Sequence, residues 1–521
     1  MIESTYIVIG AGPAGLQLGQ ALKAAGRDHL ILEAGDVPGA FFEQFPRHRK
    51  LISINKRHTG YDDPEINLRW DWHSLLSPDD DLRFTRYSKA YFPHADVMVR
   101  YCRDYAERFD LDVRYGTRVV RITRLGHDGR FHLDDAQGNE YVCDRLIVAT
   151  GVSKPYIPPI EGIELAEQYV DVSVDADEFI GQRVLIIGKG NSAFETADHL
   201  VPTASVIHLA SPNPIKMAWQ THFVGHVRAV NNNLLDTYQL KLQNAVLNAT
   251  IDGIRKVGDT FAVTFDYTLA DGEREVLEYD RIICCTGFRF DTDIFADDCT
   301  PAMAIDDRFP DQDPFWQSTN VPDLYFAGTI TQMRDYKRST SGFIHGFRYN
   351  VRSLFRALET RYHGVDWPRT TFETTPEVVT GALIRRINQT SALWQQFGFL
   401  ADLMLVDDRT GIASYLEEVP VDAVFTGSFG ALQHAYLITL EYGPHTTHDP
   451  FGAPRIERHD VARSAQSQFL HPIVRCIRDG EVVETHHVIE DLASEWKEPE
   501  HVDPLRAFFA AQFGGPTPVR A

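Results

Sequence analysis

The chain has 521 residues, 43% of them hydrophobic and 24% charged, with a formal net charge of −22. That length predicts two or three domains around separate cores. The acidic balance speaks against nucleic acid or an anionic membrane surface as a partner, and no run reaches the roughly 18 apolar residues of a membrane helix.

The opening MIESTYIVIGAG carries no leader pattern, so a cytoplasmic location is expected. Residues 5–9 (TYIVI) read as a buried strand. Residues 13–25 follow as a helix, with Pro13 in its first turn and Gly26 as its stop. Residues 29–33 (HLILE) are the next strand, completing a β–α–β unit. Short alternating strands over 111–148 predict an antiparallel layer closing onto the parallel sheet. A second β–α–β unit begins at RVLIIG (183–188), with a helix over 191–201 and the strand SVIHLA. The segment 255–285 repeats the meander. PDLYFAG (322–328) is another buried strand, followed by a helix from about 341 to 358. Beyond 365 a mostly helical stretch, VVTGALIRRINQTSALWQQFGFLADLML, precedes mixed strands and reads as an appended α+β region. The predicted fold is α/β, with two Rossmann-like dinucleotide-binding domains, the second inserted in the first, and a C-terminal α+β extension. The expected boundaries are 1–165 and 286–364 for the first domain, 166–285 for the inserted one and 365–521 for the extension.

Gly10-Ala11-Gly12-Pro13-Ala14-Gly15 matches G-x-G-x-x-G between a strand and a helix, and Glu33 closes the following strand at the expected spacing. Gly10 permits the tight turn, Gly12 lets a pyrophosphate approach the backbone, and Gly15 lets the helix pack on the sheet. The helix N-terminus offers free N–H groups to phosphate, and Glu33 offers a carboxylate to a ribose diol. Gly188-Lys189-Gly190-Asn191-Ser192-Ala193 repeats the pattern as G-x-G-x-x-A, placing Gly188, Gly190, Asn191 and Ser192 at a second nucleotide. Two such units imply FAD and a nicotinamide cofactor that exchange a hydride. Ala149-Thr150-Gly151 and Thr286-Gly287 follow the meanders where the chain would cross between domains. After the second unit's second strand, Lys216 is the nearest cation for the 2′-phosphate of NADPH, with His208 a weaker candidate; NADH stays open.

The order of fingerprint, meander, ATG, second fingerprint, meander and TGF resembles the flavin-containing monooxygenase superfamily. FPRHRKLISINKRHTG (45–60), NLRWDWHSLLS (67–77), GKGNSAFETA (188–197), WQTHFVG (219–225), NNNLLDTYQLK (231–241) and RSTSGFIHGFRYNVRSLF (338–355) resemble one subfamily. It comprises the animal endoplasmic-reticulum flavoproteins associated with degradation and their bacterial relatives. The likeness covers roughly residues 1–355, with an echo at FLHPIVR (469–475). It implies a flavin contact for Arg47, Val119, Thr150, Gly151, Gly287 and Gly328, and a catalytic place beside the flavin for Asn55, whose amide would donate to activated oxygen and orient NADP⁺. Gly342 and Gly346 would aim a helix at the flavin pyrimidine, or serve packing. Tyr238, Lys337 and Arg338 are candidate pocket residues, and no role falls to His58, His222 or His345.

Departures sharpen the reading. Ile160-Glu161-Gly162 leads to Ala166 where Baeyer–Villiger enzymes carry histidine, which argues against ketone oxygenation. Pro212 and Pro214 stand where arginines would be expected, and Gly328-Thr329 replaces Gly-Asp. The six cysteines contain no C-x-x-C, so neither a zinc ribbon nor a dithiol redox motif is present. No metal is expected. The resemblance implies a monooxygenase that activates molecular oxygen at the flavin C4a position and oxygenates nitrogen on a small amine or amino acid. An NAD(P)H oxidase releasing hydrogen peroxide, and a flavin-dependent protein-binding adaptor, stand as alternatives; homo-oligomerisation is compatible with all three.

Overall fold

The computed structural model describes residues 1–124, 129–239, 244–444 and 455–513. Its first sheet runs in the order Val113–Arg114, His29–Leu32, Ile2–Ile9, Glu140–Val148, Phe131–Asp135, Val119–Thr123. Ile2–Ile9 is central and parallel to both neighbours. Tyr6, Ile7 and Val8 have no exposure, as an unbroken apolar run covered on both faces requires. Glu140–Val148 shares its far edge between two partners. Tyr141–Cys143 pair antiparallel with the meander strand Phe131–Asp135, and Leu146–Val148 pair parallel with Leu324–Phe326. The chain leaves this sheet, builds the inserted unit and returns to that vacant half-edge.

The inserted sheet repeats the plan: Arg274–Tyr279, Thr260–Tyr267, Ala245–Val257, Val206–Ser211, Arg183–Ile187, Arg281–Cys284, Glu167–Gln168. Ala245–Val257 begins parallel to Val206–Ser211 and ends as an arm of the antiparallel meander. The two crossing segments pair with each other, Lys154–Pro155 against Phe288–Arg289, and Tyr156 N donates to Gly287 O at 2.9 Å. They form a two-stranded bridge between the nucleotide folds.

The C-terminal part is a six-stranded antiparallel sheet in the order Arg369–Glu373, Ile412–Pro420, Leu400–Asp407, His434–Glu441, His471–Arg478, Glu481–His487. Helices Pro376–Gln389 and Pro499–Phe513 cover it, sharing a core with Val379, Leu383, Trp496 and Phe509. The helical reading of 378–405 is corrected here. The helix stops at Gln389, a short turn spans Ala392–Gln395, and Gly398 at φ 63° releases the chain into the strand Leu400–Asp407. An apolar run buried on both faces has no period with which to separate strand from helix. Helix Ala95–Arg108 went unforeseen, and the predicted 341–358 helix is Ile344–His363.

This part is not a loose appendage. Glu418, 1% exposed, accepts hydrogen bonds from Arg352 (Nε at 2.6 Å) and Arg356 (3.3 Å) of helix Ile344–His363 and from Arg386 (3.4 Å). A buried carboxylate shared by three guanidiniums thus fixes the C-terminal sheet to the helix that backs the first nucleotide fold.

Candidate functional site

The first turn has the geometry its glycines require. Gly10 sits at φ 105°, and a Cβ there would meet Ala149 O at 2.9 Å. A Cβ on Gly15 would lie 1.9 Å from Gly10 O. A Cβ on Gly12 would meet nothing within 4 Å, so this backbone faces open space at the N-terminus of helix Pro13–Ala24. Glu33 Oε2 accepts from Ala11 N at 2.7 Å and Oε1 from Gly35 N at 2.8 Å. Its backbone oxygen receives Thr117 N at 2.7 Å, which brings the buried Val119 strand to the same rim. Thr150 is exposed beside the turn, Gly151 takes φ 68°, and Gly328 at φ 79° approaches Ala14 closely. An open cradle with a carboxylate at its rim fits an ADP moiety.

The second turn repeats these features. Gly188 has φ 128°, a Cβ on it would lie 2.3 Å from Cys285 O, and Gly190 faces open space before helix Asn191–Leu200. The register aligns the two units residue by residue. Gly10 N donates to Leu32 O at 2.7 Å and Gly188 N to Ala210 O at 2.8 Å. Glu33 therefore corresponds to Ser211, and Ala11 to Lys189. Lys189 Nζ reaches Leu247 O at 3.0 Å and Asn248 Oδ1 at 2.5 Å, and Asn248 is the strand partner of Ser211. Burial lowers the Lys189 ammonium to about 8. The other cation, Lys216, acts with Lys337 on His226, which burial and both ammoniums lower to about 4, and the backbone oxygen of His226 is held by Asn191 of the second turn. His208 Nδ1 is engaged by the Tyr279 hydroxyl at 2.7 Å.

Asn55 is 2% exposed, among backbone groups of residues 71 and 88–91. Its Nδ2 donates to Ser88 O at 2.9 Å and Ala90 O at 3.1 Å, while Oδ1 is buried without a partner. Both donors of the amide are thus engaged by backbone carbonyls, and the atom left over is an acceptor. Arg47 is committed to domain contact. Its Nη2 donates to Val172 O at 2.6 Å and its backbone N to Tyr169 Oη at 3.2 Å. Asn191 pins the loop over the second turn, donating to Gly225 O and His226 O and accepting from Arg228 N at 2.9 Å. Ser192 O accepts from Thr196 Oγ1 at 2.8 Å. Gly287 takes φ 86° in the bridge. Gly346 is a packing glycine, because a Cβ there would lie 2.1 Å from Thr340 O. Arg338 Nη2 donates to Arg334 O at 2.8 Å, and Tyr238 falls outside the residues whose side chains are described.

The motif blocks acquire reasons. NLRWDWHSLLS wraps the fully buried Arg348, whose guanidinium donates to Leu68 O, Asp71 O and Ser74 O at 2.7–2.9 Å. Trp72 stacks on His345 with centroids 4.1 Å apart. His345 is fully buried with neither ring nitrogen partnered, and burial holds it well below its usual range as a neutral ring. Unsatisfied polar atoms in such number are rare in a finished interior. With the open turns they fit a site completed by bound groups.

A family model described as pyridine nucleotide-disulphide oxidoreductase matches residues 7–328. The chain belongs to that family. FAD-dependent oxidoreductase domain-containing protein 2 of Mus musculus is 39% identical over 556 residues, covering 96% of this chain and 83% of the relative. The expected subfamily resemblance is borne out. The fold is shared with the flavin-containing monooxygenase of Stenotrophomonas maltophilia, at TM-score 0.53 and 20% identity over 69% of this chain and 99% of that one. It is shared equally with the bacillithiol disulfide reductase of Staphylococcus aureus, at TM-score 0.53 and 19% identity over 70% and 100%. The chain is thus a flavin-dependent oxidoreductase whose fold alone leaves both chemistries open. Among the described residues no helix is long and apolar enough to cross a membrane.

Proposed function

We propose that the chain is an FAD-dependent, NADPH-consuming monooxygenase that oxygenates nitrogen on a small amine or amino acid in the cytoplasm. The observation that carries this reading is the disposition of its sulfur. All six cysteines are free and buried. The adjacent pair Cys284 and Cys285 belong to different core clusters, one against Leu185 and Ile187, the other against Val184 and Ile186. Successive strand residues point to opposite faces, so these thiols cannot relay electrons as a dithiol. Bound flavin supplies hydride acceptance and oxygen activation. The protein supplies the two cradles and the two-stranded bridge that joins their folds. Asn55 Oδ1 is suited to accept a hydrogen bond from a nicotinamide carboxamide or a substrate amine.

NADPH is favoured over NADH by the correspondence of Ser211 with Glu33. Where the first rim carries an acid for a ribose diol, the second carries a short neutral hydroxyl and the Lys189 ammonium. Ala166, in place of the Baeyer–Villiger histidine, favours nitrogen over ketone oxygenation.

The test supplies flavin-loaded enzyme with NADPH and a panel of amines and amino acids in air. The reading expects oxygenated product in proportion to NADPH consumed with at least one of them. Hydrogen peroxide in equal amount to NADPH across the whole panel would make the protein an oxidase. NADPH oxidation sustained without oxygen by a low-molecular-weight disulfide would overturn the reading.

A further inference from the structure

Arg228 carries a charge that no described residue balances. Its Nη1 is buried without a hydrogen-bond partner, and its guanidinium makes no hydrogen bond or ion pair with any described residue. The group lies 5.3 Å from the Trp72 ring centroid. Burial draws its basicity down, and among the described residues the titratable neighbour favouring its charge is Tyr91. In a chain with 73 acidic residues and 51 lysines and arginines, a half-buried guanidinium with no described carboxylate beside it is not explained by folding. The buried arginines Arg69 and Arg348, by contrast, donate to backbone carbonyls.

Its placement says what it serves. Two backbone hydrogen bonds flank Asn55: Trp72 N to Ile54 O at 3.2 Å, and Asn55 N to Tyr91 O at 2.9 Å. Arg228 lies over the ring of Trp72, whose backbone N binds the oxygen of Ile54, the residue next to Asn55 in sequence. It belongs, however, to the inserted unit, where its backbone N is held by Asn191 at the second nucleotide turn. The cation therefore enters from one domain and lies over an indole of the other. That indole is backed by His345, whose ring nitrogens are free. Planar guanidinium is the side chain best matched to a two-oxygen anion.

We propose that Arg228 is an oxyanion subsite at the domain seam and that its ligand is the carboxylate of the substrate. The substrate would then be an amino acid or related amino-carboxylate rather than a simple amine. This rests on the monooxygenase reading above and narrows it: Arg228 fixes the carboxylate end, and Asn55 Oδ1 is the acceptor for the amine end. Oxygenation needs no acid from Arg228, which binds and orients only.

The test uses oxidised, flavin-loaded enzyme with NADP⁺ present, so that it does not depend on turnover. The probes are L-amino acids and simple carboxylates such as benzoate, each paired with its amide or its decarboxylated amine. Binding is read by calorimetry and by the perturbation of the flavin spectrum. At least one carboxylate should bind saturably and about tenfold or more tighter than its uncharged partner. Arg228→Met should abolish that difference and Arg228→Lys should restore part of it, with NADP⁺ affinity unchanged. Equal binding of carboxylates and amides, no binding by any carboxylate, or an Arg228→Met variant that binds them normally would each overturn the proposal. So would an Arg228→Met variant that loses NADP⁺ instead, because the oxyanion would then be the nucleotide's phosphate. Failure of NADPH to reduce the flavin would sink the monooxygenase reading without changing these binding results.

Discussion

Replacing Glu418 by Gln removes the one carboxylate shared by Arg352, Arg356 and Arg386. Burial alone would raise the pKa of this group; the three guanidiniums more than offset it and hold it at about 2, against 4.5 ordinarily. That depression corresponds to about 3 kcal/mol of native-state preference for the charged form. Breaking a buried ion pair from one side costs a similar ~3–5 kcal/mol, since the stranded cations stay desolvated. At neutral pH the variant should therefore lose about 3 kcal/mol in the C-terminal sheet. For a unit of this size that is a fall of roughly 6–12 °C in its unfolding midpoint. The assay is thermal unfolding followed by circular dichroism and by flavin release. The exposed Glu373→Gln serves as control and should shift by no more than about 0.5 kcal/mol in either direction. The pH dependence follows from a depressed pKa. The wild-type contribution is complete above about 4.5 and is lost as pH falls towards 2, so the two proteins should converge in acid. A Glu418→Gln midpoint within one degree of wild type at neutral pH would refute this account of the seam.

The remaining predictions concern the site. Gly190→Val should fold and keep its flavin, because a Cβ there meets nothing, but its KM for NADPH should rise about tenfold or more. Gly15→Val should lose flavin and solubility together, its Cβ falling 1.9 Å from Gly10 O. Lys189→Met should lower the NADPH-to-NADH preference by about 10–100-fold, the worth of one charged hydrogen bond. In the wild type that preference should fade as pH rises through about 8, where the ammonium loses its proton. Asn55→Ala should raise peroxide released per NADPH several-fold, and an unchanged ratio would remove Asn55 from the reacting centre.

The glycine turns were legible because their constraint is local: strand, turn and helix follow one another within a dozen residues, and the register carries them into place. Lys189 was in plain view, but as the unspecified position of the fingerprint. Only alignment of Gly188 with Gly10 through their hydrogen bonds matches it to Ala11 and Ser211 to Glu33. Asn55 was found by resemblance, yet which end of its amide is free depends on Ser88 and Ala90, more than thirty residues away. Arg228 gives no signal in sequence, since what distinguishes it is the absence of a partner. The C-terminal sheet resisted reading for the reason that misplaced residues 400–405: a strand buried on both faces does not alternate, and one of its two partners, His434–Glu441, is distant in sequence.

The most direct test of two nucleotides acting in one chain is an anaerobic titration of the purified, flavin-loaded protein with NADPH. The account predicts that about one equivalent bleaches the flavin and that admitting air alone, with no thiol or disulfide present, restores its colour. A protein that takes up no flavin from excess FAD, or whose flavin NADPH leaves oxidised, would contradict it.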